Sequence, residues 1–316
     1  MMSNSRPDAP PESLGATAAA TATQVFLAHR ELLFSIVYNM LGSVADTEDV
    51  LQETWLAWTS RTQAPRAAPI DNPRAYLVRI AVHQALARQA AIRRRRETYV
   101  GPWLPEPLVT PLADNGSSSD ADDAADAAVH AEAVSMALLV VLETLSPLER
   151  AVFVLGEVFG YSHPEIAEIL GRRPAAIRQL AHRAREHVQA RRPRYQADPR
   201  LRRQVTERFV AAVSGGDLPA LLHLLAPEVT LWADGGGKAV AAGLRPVHGR
   251  DQVARLLTRA RRDLGVRYRQ VNGEPAALLF AGDAPFAVIV LDLTPDGEQV
   301  CGIYTVTNPD KLARVN

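Results

Sequence analysis

The stretch Tyr161–Arg185, YSHPEIAEILGRRPAAIRQLAHRAR, decides how this chain of 316 residues is read. Ser162, with Glu165 three residues on, has capping-box spacing and starts a helix that runs to Leu170. Gly171 supplies a left-handed stop, and Pro174 restarts a helix to about Arg191. Ala167 is small where the two helices must approach, Gly171 accommodates the turn, and Ile177 offers a buried anchor. This is the size pattern of a helix-turn-helix. Its second helix carries Arg178, Gln179, His182, Arg183 and Arg185, with Arg173 just ahead. Arg and Gln pair with guanine and adenine edges in a major groove, while the helix N-terminus and the other arginines hold phosphates. The alternative is an ordinary helical hairpin with a solvated basic face.

Summed charge argues against nucleic acid, because 35 basic residues balance 35 acidic ones and DNA-binding proteins carry a basic excess. Read along the chain, charge argues the reverse. Every formal charge from Glu31 to Glu53 is negative, and all seven from Arg74 to Arg96 are arginines. Asp114 to Glu132 is again purely acidic, and Arg172 to Arg194 sets eight arginines against Glu186 alone. Such blocks are either solvated faces or opposed binding surfaces. The single cysteine, Cys301, excludes an internal disulfide and a cysteine-based metal site. No metal and no cofactor are expected. No apolar run approaches the roughly 20 residues that span a bilayer. Residues 1–23, rich in Ala, Ser, Thr and Pro, are expected to be a disordered leader rather than a signal peptide, and the protein to be cytoplasmic with no membrane partner.

Val25 to Met40 is apolar at helical spacing and Gly42 is its expected cap. Asp46 opens a second helix to about Trp58, with Val50, Leu51, Thr54, Trp55 and Trp58 on one side and Asp46, Asp49 and Glu53 on another. Pro73 starts a third, Arg74 to about Glu97, so that 24–97 form one helical module. Residues 98–128 read as a linker, proline-rich and then a Ser/Asp/Ala tract. Helix returns at about Val129 to Leu145, and Ser146 with Pro147 caps another, Leu148 to Phe159, so that 129–194 form a second helical module. After Pro193 helical runs at Leu201–Val213, Leu218–Leu225 and Gly249–Arg262 mix with β-rich runs. Those are Val229–Trp232, Val266–Val271, Ala276–Phe280, Phe286–Leu293 and Val300–Thr307. The expected fold is multi-domain: two all-α modules, then over 198–316 an α+β domain with helices on one face of a curved antiparallel sheet.

In this order the segments resemble an extracytoplasmic-function sigma factor of the sigma-70 family. Phe26 to Ala91 is similar to region 2, and Ala133 to Arg192 to region 4. Ala45 to Trp58, ADTEDVLQETWLAW, resembles the segment that clamps the coiled coil of the polymerase largest subunit. That resemblance makes Asp46, Asp49, Gln52 and Glu53 the implied core-polymerase contacts. Pro73 to His83, PRAYLVRIAVH, resembles the −10 recognition and melting helix, and implies Arg74, Tyr76, Arg79, His83, Arg88 and Arg93 as −10 contacts. Where the family usually has Asn and, four residues on, Asp, this chain has His83 and Ala87. Leu145 to Phe153 with Tyr161 to Arg185 resembles the −35 module, implying Arg173, Arg178, Gln179, His182, Arg183 and Arg185 as −35 contacts.

Three further stretches, Tyr99–Pro107 (YVGPWLPEP), Asp234–Lys238 (DGGGK) and Asn308–Leu312 (NPDKL), resemble the signatures of the sigma group with a fused SnoaL-like, NTF2-like C-terminal domain. Only two of the 35 basic residues are lysines, and both, Lys238 and Lys311, fall in these stretches. The resemblance implies RNA polymerase core enzyme and promoter DNA, at its −10 and −35 elements, as partners. It also implies that the tail, in place of a separate anti-sigma factor, modulates them. The implied regulatory contacts are Trp103, Leu104, Pro105, Glu106, Pro107, Asp234, Gly235, Gly236, Gly237, Lys238, Asn308, Pro309, Asp310, Lys311 and Leu312.

SnoaL-like folds also include small cyclases and isomerases with an acid/base pair in a conical pocket. Asp234, His223, His248, Asp292 and Tyr304 are the proton carriers such an enzyme could use, but no nucleophile stands at readable spacing from a base. A regulatory domain, with a small-molecule ligand still open to it, is preferred. The alternatives are a ligand-sensing helix-turn-helix regulator and a SnoaL-like enzyme fused to a DNA-binding module.

Overall fold

The structure, a computed structural model, describes residues 11–64, 68–110, 134–191, 198–239, 243–259 and 263–315. The acidic tract expected at Asp114–Asp126 lies outside them. Helices α1 (Pro11–Leu41), α2 (Val44–Thr62) and α3 (Pro73–Glu97) form the first module. Helix α1 takes in residues 11–23 of the stretch expected to be a leader, and residues 1–10 lie outside the described ones. Alanine is the strongest helix former, and the Trp58 indole donates to the Ala22 carbonyl at 2.9 Å, tying this early stretch to α2. Gly42, at φ +69°, ends α1. Ser43, not Asp46, caps α2 by accepting from the Asp46 amide, which moves Asp46 into the first turn.

The second module comprises α4 (Met136–Leu142), α5 (Pro147–Phe153), α6 (His163–Leu170) and α7 (Pro174–Arg191). Ser162 with Glu165 closes as the expected reciprocal capping box, and the expected cap Ser146 does the same with Glu149, a partner the sequence reading did not name. The helix expected to Phe159 gives way after Phe153 to a π-turn, Val154–Val158. Gly156 within it faces the Ile166 methyl. Ala167 and Ile177 are buried and Gly171 adopts φ +60°, so α6 and α7 make the helix-turn-helix read from the sequence. The two helical modules share one apolar core. Across their junction the Arg150 Nε donates to the Asn39 carbonyl (2.9 Å), His83 Nε2 lies 2.8 Å from the Ile169 carbonyl, and Arg74 lies 5.8 Å from the Tyr161 ring centre.

The C-terminal domain begins with α8 (Pro199–Gly215) and α9 (Leu218–Leu224), then β2 (Leu225–Asp234), β3 (Val247–His248) and α10 (Arg250–Arg259). Strands β4 (Gly265–Val271), β5 (Glu274–Ala281), β6 (Ala284–Leu293) and β7 (Val300–Val306) follow, and α11 (Pro309–Leu312) closes it. With β1 (Val109–Thr110), the open sheet has the order β1-β4-β5-β6-β7-β2-β3, and among the described residues only β2 and β7 pair in parallel. Strand β1 is Val109–Thr110, so the expected linker is also a sheet edge, paired antiparallel to β4. Alternation sends Ala277, Ile289, Leu291 and Ile303 into the core beneath α8, α9 and α10. Leu278, Val288, Val290 and Val306 face the other way, where Leu104, Met136 and Ala137 cover them. The second face of the sheet is thus buried by the linker and by the start of α4.

Candidate functional site

Strand β2 ends at Asp234, which is fully buried beside the end of β7. Its Oδ1 accepts from the Tyr99 hydroxyl (2.5 Å), and its Oδ2 from the Leu104 amide (2.8 Å) and Lys311 Nζ (2.7 Å). Lys311 also donates to the Leu104 carbonyl, and the Asn308 amide donates to the Tyr99 hydroxyl at 2.8 Å. Gly236, at φ +58°, sits so close that a Cβ would overlap the Asn308 amide. The glycines therefore serve close backbone approach, and the three motifs converge on one carboxylate. Burial pushes the Lys311 ammonium down to about 8 against the pull of Asp234. Burial, and then the bond to Asp234, push the Tyr99 hydroxyl up. Lys238 and Asp310 pair at 2.5 Å in the open, where an ion pair contributes little.

The linker grips the first helical module as well. The Glu106 carboxylate accepts from the Val44 amide (2.8 Å) and its carbonyl from the Tyr38 hydroxyl (2.6 Å). Asn272, in the β4–β5 turn at φ +52°, donates to that same hydroxyl at 2.7 Å. Trp103 lies against Gly42, with the Arg96 guanidinium 3.4 Å and Lys311 Nζ 4.2 Å from its ring centre. Leu104, Pro105, Glu106 and Pro107 are buried. Tyr38 and Asn272 escaped the sequence reading. Asn272-Gly273 is a hairpin signal, but nothing local names a partner 234 residues away.

On α2, Asp46 is buried and accepts from Arg88 (3.0 Å) and Arg95 (2.6 Å); Arg88 also pairs with Asp49 and lies 3.7 Å from Glu53. Burial alone would raise the Asp46 carboxyl, but the bonds from Arg95 and Arg88 outweigh it and hold it below its ordinary value. Gln52 is exposed beside them. Among the residues expected on the −10 face, Arg88 is thus turned into the acidic cluster, while Arg74 and His83 touch region 4. Tyr76 packs on Trp58 (5.9 Å), and Arg79 and Arg93 are exposed. On α7 and just before it, Arg173, Arg178, Gln179 and His182 are exposed. Arg183 and Arg185 are braced by Glu149 (3.3 Å) and Glu157 (2.5 Å).

Of the proton-carrier candidates, Asp292 and Tyr304 flank the same glycine, Gly302, and Asp234, His248 and Tyr304 have partners within the domain. Asp234 is held in the clamp, His248 Nδ1 meets the Thr230 hydroxyl (3.0 Å), and Tyr304 stacks on Trp232 with ring centres 4.9 Å apart. Among the described residues no cluster of His, Cys, Asp and Glu is placed to hold a metal, and no helix is long and apolar enough to cross a membrane.

Comparison with known proteins gives three family matches: Sigma-70 region 2 over residues 25–98, Sigma-70, region 4 over 135–188, and SnoaL-like domain over 206–315. The ECF RNA polymerase sigma factor SigJ of Mycobacterium tuberculosis is 38% identical, over 91% of this chain and 92% of its own length. The probable ECF RNA polymerase sigma factor SigI of the same organism is 32% identical, over 90% and 92%. The crystal structure of Mycobacterium tuberculosis SigJ superposes with a TM-score of 0.67 at 35% identity, covering 92% of this chain and 98% of that one. Those relatives act in transcription initiation and not as enzymes, and the same holds here. The chain belongs to the extracytoplasmic-function RNA polymerase sigma factors and carries a SnoaL-like domain at its C-terminal end.

Proposed function

We propose that the C-terminal domain governs this sigma factor in cis, by gripping the linker and so holding regions 2 and 4 against each other. The observation that carries the reading is the Asp234 carboxylate, which receives Tyr99 and Leu104 from the linker and Lys311 from the tail. In the division of labour we propose, 24–97 dock on core polymerase and open −10 DNA, 129–194 read the −35 major groove, and 198–316 regulate. Asp49, Gln52 and Glu53 offer an exposed polar edge to polymerase, with Asp46 bracing it from beneath. Arg79 and Arg93 meet −10 DNA first, and Arg74, His83 and Arg88 join once α3 leaves α6 and the acidic cluster. Arg173, Arg178, Gln179 and His182 meet the −35 groove, with Arg183 and Arg185 on phosphates. Strand opening then relies on phosphate neutralisation and capture of unstacked bases. In this role the fused domain, working in the cytoplasm beside the polymerase, takes the place of a separate anti-sigma factor.

Run-off transcription with purified core polymerase and the gene's own upstream region tests the reading. Asp234→Asn and removal of 308–316 should each raise the start-specific transcript severalfold, because they release α3 from α6. Removal of 313–316 should do so less. Transcript levels equal to the full chain in every variant would overturn it.

A further inference from the structure

The C-terminal end of α1 is where the two helical modules and the linker meet. A helix leaves its last carbonyls without partners of its own, and α1 has no basic residue in its final turn. Other elements supply the donors. The Asn39 carbonyl receives the Arg150 Nε (2.9 Å), Met40 the Gln89 side chain (2.7 Å), Leu41 the Arg96 Nη2 (3.0 Å) and Gly42 the Glu106 amide (2.9 Å). Two of these donors are cations, placed at the negative end of the helix dipole where positive charge is favoured. Glu143 completes the arrangement: its carboxylate pairs with Arg96 through one oxygen and with Arg150 through the other. Arg96 belongs to region 2, whereas Glu143 and Arg150 belong to region 4. Arg150 is only 3% exposed, and its two partners are largely buried.

Burying three charges carries a desolvation cost that their attraction barely offsets, so the joined state gains little over the separated, hydrated one. Loss of one member has a different effect, because it strands an opposite charge in the interior. The contact is thus either complete or broken, and an apolar contact of equal area would be far harder to part.

We propose that Arg96, Glu143 and Arg150 form a latch between regions 2 and 4, which closes or opens as a unit and is separate from the Asp234 clamp. It rests on the reading above, in which the packed arrangement is the restrained one, and it names the contact through which region meets region. The clamp ties the linker to the C-terminal domain, and the latch ties Arg150 to the end of α1. Opening returns the three charges to water and frees α3, whose Arg74 and His83 touch region 4 while the latch is closed.

The test is single-molecule energy transfer in the full-length, polymerase-free protein. Dyes go on Leu27→Cys of α1 and Gln189→Cys of α7, both exposed positions, in a Cys301→Ser background. With the triad intact, the closed population should dominate. Glu143→Gln leaves two guanidinium groups without their shared anion and should raise the open fraction roughly tenfold or more. Arg150→Met should act likewise, and the double variant should open no further than the more open single one, since both break one unit. An open fraction in Glu143→Gln equal to that of the intact triad would overturn the latch, whether or not Arg150→Met folds. So would a double variant whose effect is the product of the two single effects. Run-off transcription with Glu143→Gln then separates the two readings: an opened protein with no rise in start-specific transcript leaves the latch standing and overturns the view that packing restrains the sigma factor.

Discussion

Two buried carboxylates, Asp46 and Asp234, each gather several polar partners. Asp46 was readable as an acid on the outer face of an amphipathic helix, yet it is buried between Arg88 and Arg95. Its carboxyl is held below its ordinary value, so the folded state keeps it ionised where the unfolded chain would protonate it. The sign follows: its contribution is complete above the unfolded pKa of about 4 and is lost as pH falls through the folded value. Asp46→Asn should cost about 2 kcal/mol at pH 7. In urea denaturation the gap between wild type and variant should narrow steadily below pH 4. A gap that stays constant to pH 2 would mean that the ion pairs contribute nothing.

Among the elements, the linker departs furthest from its sequence. Proline-rich and flanked by a polar tract, Tyr99–Thr110 has the composition of a tether. It behaves as part of two cores: Leu104 fills the second face of the sheet, Glu106 caps the start of α2, and Val109–Thr110 extend the sheet past β4. Proline suits this role, since a stretch without regular structure loses less entropy on ordering when its φ angles are already set. Leu104→Ala should destabilise the whole protein by about 3 kcal/mol, as deletion of a fully buried leucine does. Equilibrium denaturation checks it, and a cost near zero would return the segment to the status of a loose tether.

At the scale of the molecule, two of the opposed charge blocks behind the zero net charge meet face to face. The arginines of α3 meet the acids of α2, and those of α7 are partly met by Glu149 and Glu157, so the free protein presents less bare basic surface than its helices contain. The sequence by itself determined the helix-turn-helix, the Ser162–Glu165 capping box, the Ser146 cap, the strand runs and the three motifs, because caps, glycine stops and apolar periodicity are local and act within a few residues. It could not determine that Arg88 of α3 would turn into the acids of α2, that His83 would reach Ile169, or that Asp234 would gather Tyr99, Leu104 and Lys311. One global clue was available: Ala287–Leu291 is continuously apolar, the mark of a strand buried on both faces. That pattern says a second layer exists without saying what it is. Only the tertiary structure decided that the layer is the linker and α4, because burial is satisfied by any apolar surface of fitting shape and pairing between distant polar groups leaves no periodic trace in the chain.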